Sequence, residues 1–351
     1  MLLTRHPVMR RFWYAVMPMA SLGQGPQPFT LLGENIVLWK KTDGTPAAAR
    51  DRCCHRTAKL SKGFVEGDNI VCGYHGWQYD CSGACVKIPQ FTTEKIPSGA
   101  RIDAYHCTEK YGYIWVALEE PLAPIPELAE ETMPGYRRID QFHEEWNCGA
   151  LRFIENTFDF AHQAYVHKAM HGLNDKPQPP KGEVTRNAHG LVMHITQPVR
   201  NPDSGKAHTG ISADETVRKV VMDWYMPCAR RMHITYPTGL VQSIISAATP
   251  IDDTRTMVLQ WSYRNDSEAD VPAAAINAFD RKILDEDRDM LAFVDDDMPL
   301  DTRMNLEQHM ATDMPGIHIR RALMELLAEH GETEQSRLFT ARPAVPVTAQ
   351  A

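Results

Sequence analysis

No stretch of the 351-residue chain approaches the ~18 to 20 apolar residues that a membrane-spanning helix needs. Low-complexity tracts and internal repeats are also missing, so neither a linker-like nor a solenoid protein is expected. There is no basic stripe, and the formal net charge of −8 argues against a nucleic-acid partner. No G-x-G-x-x-G follows a strand pattern, which argues against a built-in flavin or nicotinamide domain. Eight cysteines are present, but without the framework spacing of a small secreted scaffold. A reducing cytoplasm is the expected setting. Arg10-Arg11 precede an aromatic run broken by Pro18, too short for the core of an export signal. That segment reads instead as an opening stretch whose Trp13 and Tyr14 pack on the first domain. The length is ample for two domains.

What the sequence does contain is two short Cys/His pairs: Cys53-Cys54-His55 and Cys72-Gly73-Tyr74-His75. Together they read C-x-H, sixteen residues, then C-x2-H. Each loop offers one thiolate and one imidazole. That set suits a [2Fe–2S] cluster in which one iron has two Cys ligands and the other two His ligands. Exchanging thiolates for neutral imidazoles raises the reduction potential, so such a cluster can pass electrons to a site that reduces oxygen. A structural zinc site is the plainer alternative, although zinc fingers usually write a Cys pair followed by a His pair. Spacing favours Cys53 over the adjacent Cys54 as the ligand.

From about residue 28 to 118 the chain reads as short strands and glycine-punctuated turns, an all-β domain. Prolines 121, 124, 126 and 134 with Gly135 mark a linker. The expected first domain is 1–125 and the second 136–341, with 342–351 a frayed tail. In the second domain, residues near 146 to 170 look helical. Strand-like runs follow at 191–199, 216–226, 231–236, 240–248 and 255–264, with a hairpin turn at Asp252-Asp253-Thr254. A long helix is expected over 272–297 and a shorter one ending near Gly331. A sheet flanked by helices is an α+β domain.

The segment Glu155-Asn156-Thr157-Phe158-Asp159-Phe160-Ala161-His162-Gln163-Ala164-Tyr165-Val166-His167 invites a second metal. Non-haem Fe(II) oxygenases use two His and one carboxylate on one face of the ion. On a regular helix His162 and His167 would lie about 140° apart, so the helix must open or end between them. The bland alternative is two unrelated histidines on an amphipathic helix. For the carboxylate, Ile276, Phe279, Ile283, Met290 and Val294 predict an apolar stripe that contains Asp287. A carboxylate on a buried face is costly unless paired or metal-bound. Asp287 is therefore the candidate, with Asp285 or Glu286 as fallbacks and otherwise a solvated face. Asp159, three before His162, can accept from its imidazole.

The wording around these residues resembles the Rieske-type non-haem iron oxygenases. Arg52-Cys53-Cys54-His55-Arg56 and Cys72-Gly73-Tyr74-His75-Gly76-Trp77 match that family's cluster loops, except that Cys54 and Gly73 stand where Pro is common. The D-x2-H-x4-H of Asp159, His162 and His167, and Glu286-Asp287-Arg288, are similar to its iron-binding half. Trp77-Gln78-Tyr79-Asp80, Gly83-Ala84-Cys85 and Glu109-Lys110-Tyr111-Gly112 are closest in wording to the N-/O-demethylase and alkaloid-hydroxylating branch. The resemblance runs from about Phe12 to Asp297.

It implies an N-terminal β Rieske domain and a helix-grip (START/Bet v 1-like) catalytic domain with an antiparallel sheet. It implies one [2Fe–2S] cluster on Cys53, His55, Cys72 and His75, and one Fe(II) on His162, His167 and Asp287. A head-to-tail homotrimer is implied too, with Asp159 joining His162 to His75 of the partner subunit and Asn156 near the iron. Electrons would come from NAD(P)H through a separate reductase or ferredoxin. The expected reaction uses O2 to hydroxylate, or to N- or O-demethylate, a small cyclic molecule. An electron carrier or redox sensor, and a ring cis-dihydroxylating dioxygenase, are the other readings. Met222, Trp224, Met226, Met232 and Met257 are candidate pocket walls, though such residues are more often plain core.

Overall fold

The computed structural model describes residues 1–91 and 95–339, so the tail expected from 342 lies outside the described residues. Strands β1 (Tyr14–Pro18), β2 (Gln27–Leu31), β3 (Glu34–Lys40) and β4 (Pro46–Arg50) open the chain. Four short strands follow: β5 (Phe64–Glu66), β6 (Asn69–Val71), β7 (Gln78–Tyr79) and β8 (Cys85–Lys87). Then come β9 (Ala104–Lys110) and β10 (Tyr113–Ala117). They form a six-stranded sheet, β1-β10-β9-β4-β3-β2, and a four-stranded sheet, β5-β6-β7-β8. Tyr14 is buried in β1, as its apolar surroundings require.

The segment read as a linker is not a free tether. Ile125, Leu128 and Glu130 are all buried along it. The Glu130 carboxylate accepts from Ser243 Oγ at 2.7 Å and lies 3.4 Å from Arg231 and 3.3 Å from His233.

The second half is built on a seven-stranded antiparallel sheet. Its strands are β11 (Arg137–Trp146), β12 (Glu183–Asn187), β13 (Gly190–Arg200), β14 (Glu215–Tyr225), β15 (Ala229–Thr235), β16 (Val241–Pro250) and β17 (Thr256–Arg264), ordered β11-β17-β16-β15-β14-β13-β12. Period-2 alternation in the central strands divides their side chains between two layers. Ile245, Ala247, Leu259, Trp261 and Tyr263 pack with Tyr113 and Trp115 of the first sheet. Ile244, Ala248 and Val258 face the helical side. The hairpin turn falls at Asp252-Asp253-Thr254, where the Asp252 carboxylate accepts from the N–H groups of Thr254 and Arg255. The two outer strands, β11 and β12, are charge-rich and absent from the sequence reading. Lysine, arginine and acids are what protect a sheet edge from pairing with another chain, and they blur the apolar alternation.

Helix α1 (Ala150–Phe158) lies over β16, while α2 (Asp203–Thr209) packs on α3 (Ala273–Leu291) and α4 (Met314–Glu329) on α1. Two corrections concern helices. The expected helix over 146–170 stops at Phe158, because the next residue's side chain competes for the backbone. Asp159 is extended, and its carboxylate takes the N–H of Ala161 at 2.7 Å. A single 3-10 turn, His162–Ala164, follows. The second correction is to the apolar stripe of α3. Its buried residues are Ile276, Asp280, Leu284 and Leu291, whereas Met290 is 48% exposed and Val294, beyond the helix end, 39%. The inward face is thus rotated from the expected one and carries acids.

Candidate metal centres

The two Cys/His loops fold alike. In each, the cysteine carbonyl accepts from the N–H four residues on, Thr57 N to Cys53 O at 3.0 Å and Gly76 N to Cys72 O at 2.9 Å. In each, the cysteine N–H donates to the carbonyl five residues on, Ala58 and Trp77. The fourth residue takes a positive φ, 58° at Thr57 and 73° at Gly76. The loops are pressed together at Gly63, where a Cβ would run into the Val71 carbonyl.

Cys53 and Cys72 are buried, at 2% and 1% exposure, while the Cys54 residue is exposed. His55 and His75 meet edge to face at 4.6 Å, and His55 stacks on Trp77 at 4.5 Å. The buried His55 Nδ1 has no hydrogen-bond partner among the described residues. Two buried thiols, two adjacent imidazoles and an orphaned ring nitrogen fit a cluster of mixed ligation. The Tyr79 hydroxyl lies 3.0 Å from Cys53 Sγ and 3.2 Å from Cys54 Sγ. Burial followed by contact with these two thiols drives its acidity far below that of an ordinary phenol, so it stays a protonated donor.

The second set comes together across about 120 residues of sequence. His162 Nε2 and His167 Nε2 are 3.3 Å apart; Asp287 Oδ1 lies 3.5 Å from the first and 3.3 Å from the second. The helix break after Phe158 is what turns both imidazoles the same way. Gly172 closes this turn, since a Cβ there would strike the Gln163 carbonyl. Around it, the N–H groups of Met170, His171 and Gly172 all point to the His167 carbonyl. Three donor atoms this close need a proton or a metal cation between them, and two His with one carboxylate is the donor set of non-haem Fe(II).

The outer contacts orient these donors. His167 Nδ1 is 2.9 Å from Glu286 Oε2, so Glu286 is not the solvated acid that sequence suggested. Asp285 pairs with Arg281 and Arg288. Asn156 Nδ2 donates to Asp287 Oδ1 at 3.1 Å. Asp159 Oδ2 stands 3.6 Å from His162 Nδ1, with its side chain 40% exposed. Burial would raise the Asp159 carboxyl, but His162 outweighs it and the group lies below its ordinary range. For Asp287 burial likewise acts upward and is overcome by the two imidazoles and Asn156.

Over the three donors opens a cavity of about 90 Å³ between the sheet and α3. Phe153, Met232, Ile234, Ile244, Phe279 and Ile283 give it apolar walls. Of the five residues suggested as walls, Met232 is in place; Met222 and Trp224 are fully buried core. Sequence reasoning missed His171, His208, Arg218 and Arg230, which also line it. His171 stacks on His167 at 5.0 Å, and neither ring nitrogen has a hydrogen-bond partner among the described residues. Burial first, then Arg218 and the neighbouring histidines, push it well below the usual imidazole range, so it is neutral. The four-residue step from His167 to His171 was a signal available in the sequence.

A cluster cradle on a small β domain, followed by a two-His, one-carboxylate centre beneath a cavity, defines a two-centre oxygenase. Residues 12–105 match the Rieske [2Fe-2S] domain and residues 146–329 the vanillate O-demethylase oxygenase C-terminal domain. The chain belongs to the Rieske non-haem iron oxygenases. It is similar to methylxanthine N1-demethylase NdmA of Pseudomonas putida, 28% identical over 93% of this chain and 92% of that protein. Toluene-4-sulfonate monooxygenase system iron-sulfur subunit TsaM1 of Comamonas testosteroni is 31% identical over 66% and 68% of the two chains. The solved structure of an NdmA QL mutant with theobromine superposes with a TM-score of 0.81, covering 94% of this chain and 93% of that one at 28% identity.

The protein is therefore an oxygenase component that carries a Rieske cluster and a mononuclear iron and takes its electrons from a separate reductase or ferredoxin. It monooxygenates a small organic substrate rather than serving as a bare electron carrier. No helix of the described residues is long and apolar enough to cross a membrane.

Proposed function

We propose that Cys53, His55, Cys72 and His75 hold the cluster and that His162, His167 and Asp287 hold the iron. We place the Rieske module at residues 1–125 and the catalytic module at 136–341. The observation that carries this reading is the convergence of three donor atoms from two distant segments at 3.3–3.5 Å. Iron bound there, with electrons from the cluster, supplies dioxygen activation and attack on a C–H bond. The chain's own residues do the rest. Glu286 fixes the His167 ring through its outer nitrogen, as carboxylates behind ligating histidines do, while Asp159 stands 3.6 Å from His162 Nδ1 and acts on it through space. Asn156 holds Asp287 in one orientation. The apolar walls limit water where the substrate sits.

The assembly is a head-to-tail homotrimer in the cytoplasm. Asp159 there meets the partner subunit's His75 and links it to His162. Exposed apolar side chains on both modules support this: Phe64 (54%), Tyr74 (65%) and Phe91 (42%) on the first, and Tyr165 (65%), Phe293 (89%) and Met310 (73%) on the second.

The reaction is hydroxylation or oxidative N- or O-demethylation of a small cyclic molecule. The relatives named above act on a methylxanthine and on toluene-4-sulfonate, both ring compounds. Hydroxylation and demethylation share the same attack and differ only in whether the carbinol falls apart. A screen of methylated heterocycles and aromatic ethers with a surrogate reductase, read by formaldehyde release, separates them. Uncoupled oxygen consumption with no product from any of these compounds would count against the substrate class.

A further inference from the structure

The floor of the cavity is a chain of polar groups that satisfy one another. Ser246 Oγ donates to Gln260 Oε1 at 2.7 Å, Gln260 Nε2 to Gln141 Oε1 at 2.7 Å, and Gln141 Nε2 to Asp280 Oδ2 at 2.6 Å. Gln242 Nε2 reaches the same Asp280 oxygen at 3.0 Å, and Gln242 Oε1 lies 2.9 Å from His208 Nε2. Arg264 joins the far end and is itself paired with Asp266. Arg230 sits among these groups yet outside their network. In the sheet it lies opposite Ser246 and Trp224, but Ser246 bonds away from it. The residue is 5% exposed and lines the cavity, and its Nε and Nη1 have no hydrogen-bond partner among the described residues.

An unpaired guanidinium in such a place is costly, since the donors on Nε and Nη1 have been taken out of water. Burial pushes Arg230 down to about 10, with Asp287 and Asp280 opposing the fall through space. Neither acid is hydrogen-bonded to its Nε or Nη1: Asp280 Oδ2 accepts two amides, and Asp287 lies with His162 and His167. Among the charged side chains lining the cavity, that leaves Arg218 and Arg230 against Asp280 alone. The walls between are apolar, formed by Met232, Ile244, Phe279 and Ile283.

We infer that the substrate is an anion, an apolar ring bearing a carboxylate or sulfonate, whose charged end is bound by the unpartnered Nε and Nη1 donors of Arg230. This rests on the reading of the cavity as the substrate pocket above the iron. The donors at Nε and Nη1 can each take an oxygen of an oxyanion, and such charge-assisted pairing offsets the cost of burying the guanidinium. The ring then fills the apolar space, with its oxidised position turned to the side of His162, His167 and Asp287.

The test uses the holoenzyme and three matched probe pairs: benzoate and benzamide, 4-methoxybenzoate and 4-methoxybenzamide, benzenesulfonate and benzenesulfonamide. Affinity is measured by calorimetry, and the ferrous–nitrosyl electron paramagnetic resonance signal reports whether the probe sits beside the iron. The expected result is that at least one anion binds tenfold or more tightly than its neutral partner and shifts that signal. In Arg230→Met the preference disappears while the neutral partner's affinity changes by less than threefold, and Arg230→Lys restores part of it. Ligand-free Arg230→Met should melt no lower than the wild type, since it buries a methionine in place of an unpaired charge. If every anion binds no tighter than its amide while the signal responds to both, the anion inference falls and the pocket stands. If the probes bind without touching the signal, or none binds, the pocket reading and this inference fall together. A variant that melts far lower and loses both members of a pair equally would assign Arg230 to structure.

Discussion

The cluster cradle and the iron triad are built by opposite means. The cradle is two copies of one local device, a turn whose cysteine carbonyl is capped four residues on. All four of its candidate ligands lie within 23 residues, from Cys53 to His75. The triad joins an irregular turn to the C-terminal part of α3, and nothing local sets the distance between them. A turn of fixed hydrogen bonds survives much change elsewhere in the protein, whereas the triad depends on how α3 lies over the sheet. Damage should therefore spread differently from the two sites.

The sharpest contrast comes from removing one ligand of each. Asp287→Ala should abolish oxygen-dependent turnover and lower iron from about three to about two atoms per chain, leaving a reducible cluster. Cys53→Ser should remove the cluster's visible absorption and resonance signal, whereas Cys54→Ala should keep both, since the exposed Cys54 shares only Tyr79 with the cradle. A bleached Cys54→Ala protein would exchange the roles of the two cysteines. Next in size is Asp159→Asn. Both metals should load normally, yet reduction of the iron through the cluster should slow by about 100-fold, as outer carboxylates of ligating histidines typically matter. Stopped-flow reduction with unchanged metal content would show it; an unaltered rate would move the electron path elsewhere.

The same contrast explains what the sequence made legible. The cluster ligands stood out because the whole donor set is written in two short words. The five strands from β13 to β17 were visible in their apolar alternation, while the charged edge strands β11 and β12 were not. His162 and His167 were recognisable only as a pair that a regular helix would separate. The break that unites them depends on one hydrogen bond, from Ala161 N–H to the Asp159 carboxylate, which residue spacing does not encode. The apolar stripe that points to Asp287 in the sequence is rotated in the structure: Met290 is exposed and Asp280 buried. The choice nevertheless coincides with the acid found beside the two imidazoles, because the inward face of α3 carries carboxylates either way. Glu286 was misjudged for the same reason. From sequence it is one acid in a charged run, but the turn after α1 brings His167 Nδ1 to it. Glu286→Gln should weaken iron binding by about tenfold without touching the cluster, measurable by chelator competition; an equal loss from both centres would mean a fold defect.

The smallest expected effect concerns the segment between the two modules. Glu130 ties it to β15 and β16 through Ser243, His233 and Arg231. Burial acts to raise its carboxyl, but His233, Ser243 and Arg231 together hold it at about 2, against 4.5 for the ordinary group. A folded-state value below the unfolded one stabilises the protein above pH 4.5, and that contribution is lost as pH falls from 4.5 toward 2. The displacement corresponds to at most ~3 kcal/mol. Glu130→Gln should therefore lower the urea midpoint by a constant amount between pH 7 and pH 5, and the gap to the wild type should narrow below pH 4.5. Because the two modules also share the Tyr113, Trp115 and Trp261 contact, the variant should stay folded and keep both metals. A gap that widens on acidification would reverse the sign argued for Glu130. It would then be a strained, costly anion rather than the clasp between the cradle and the triad.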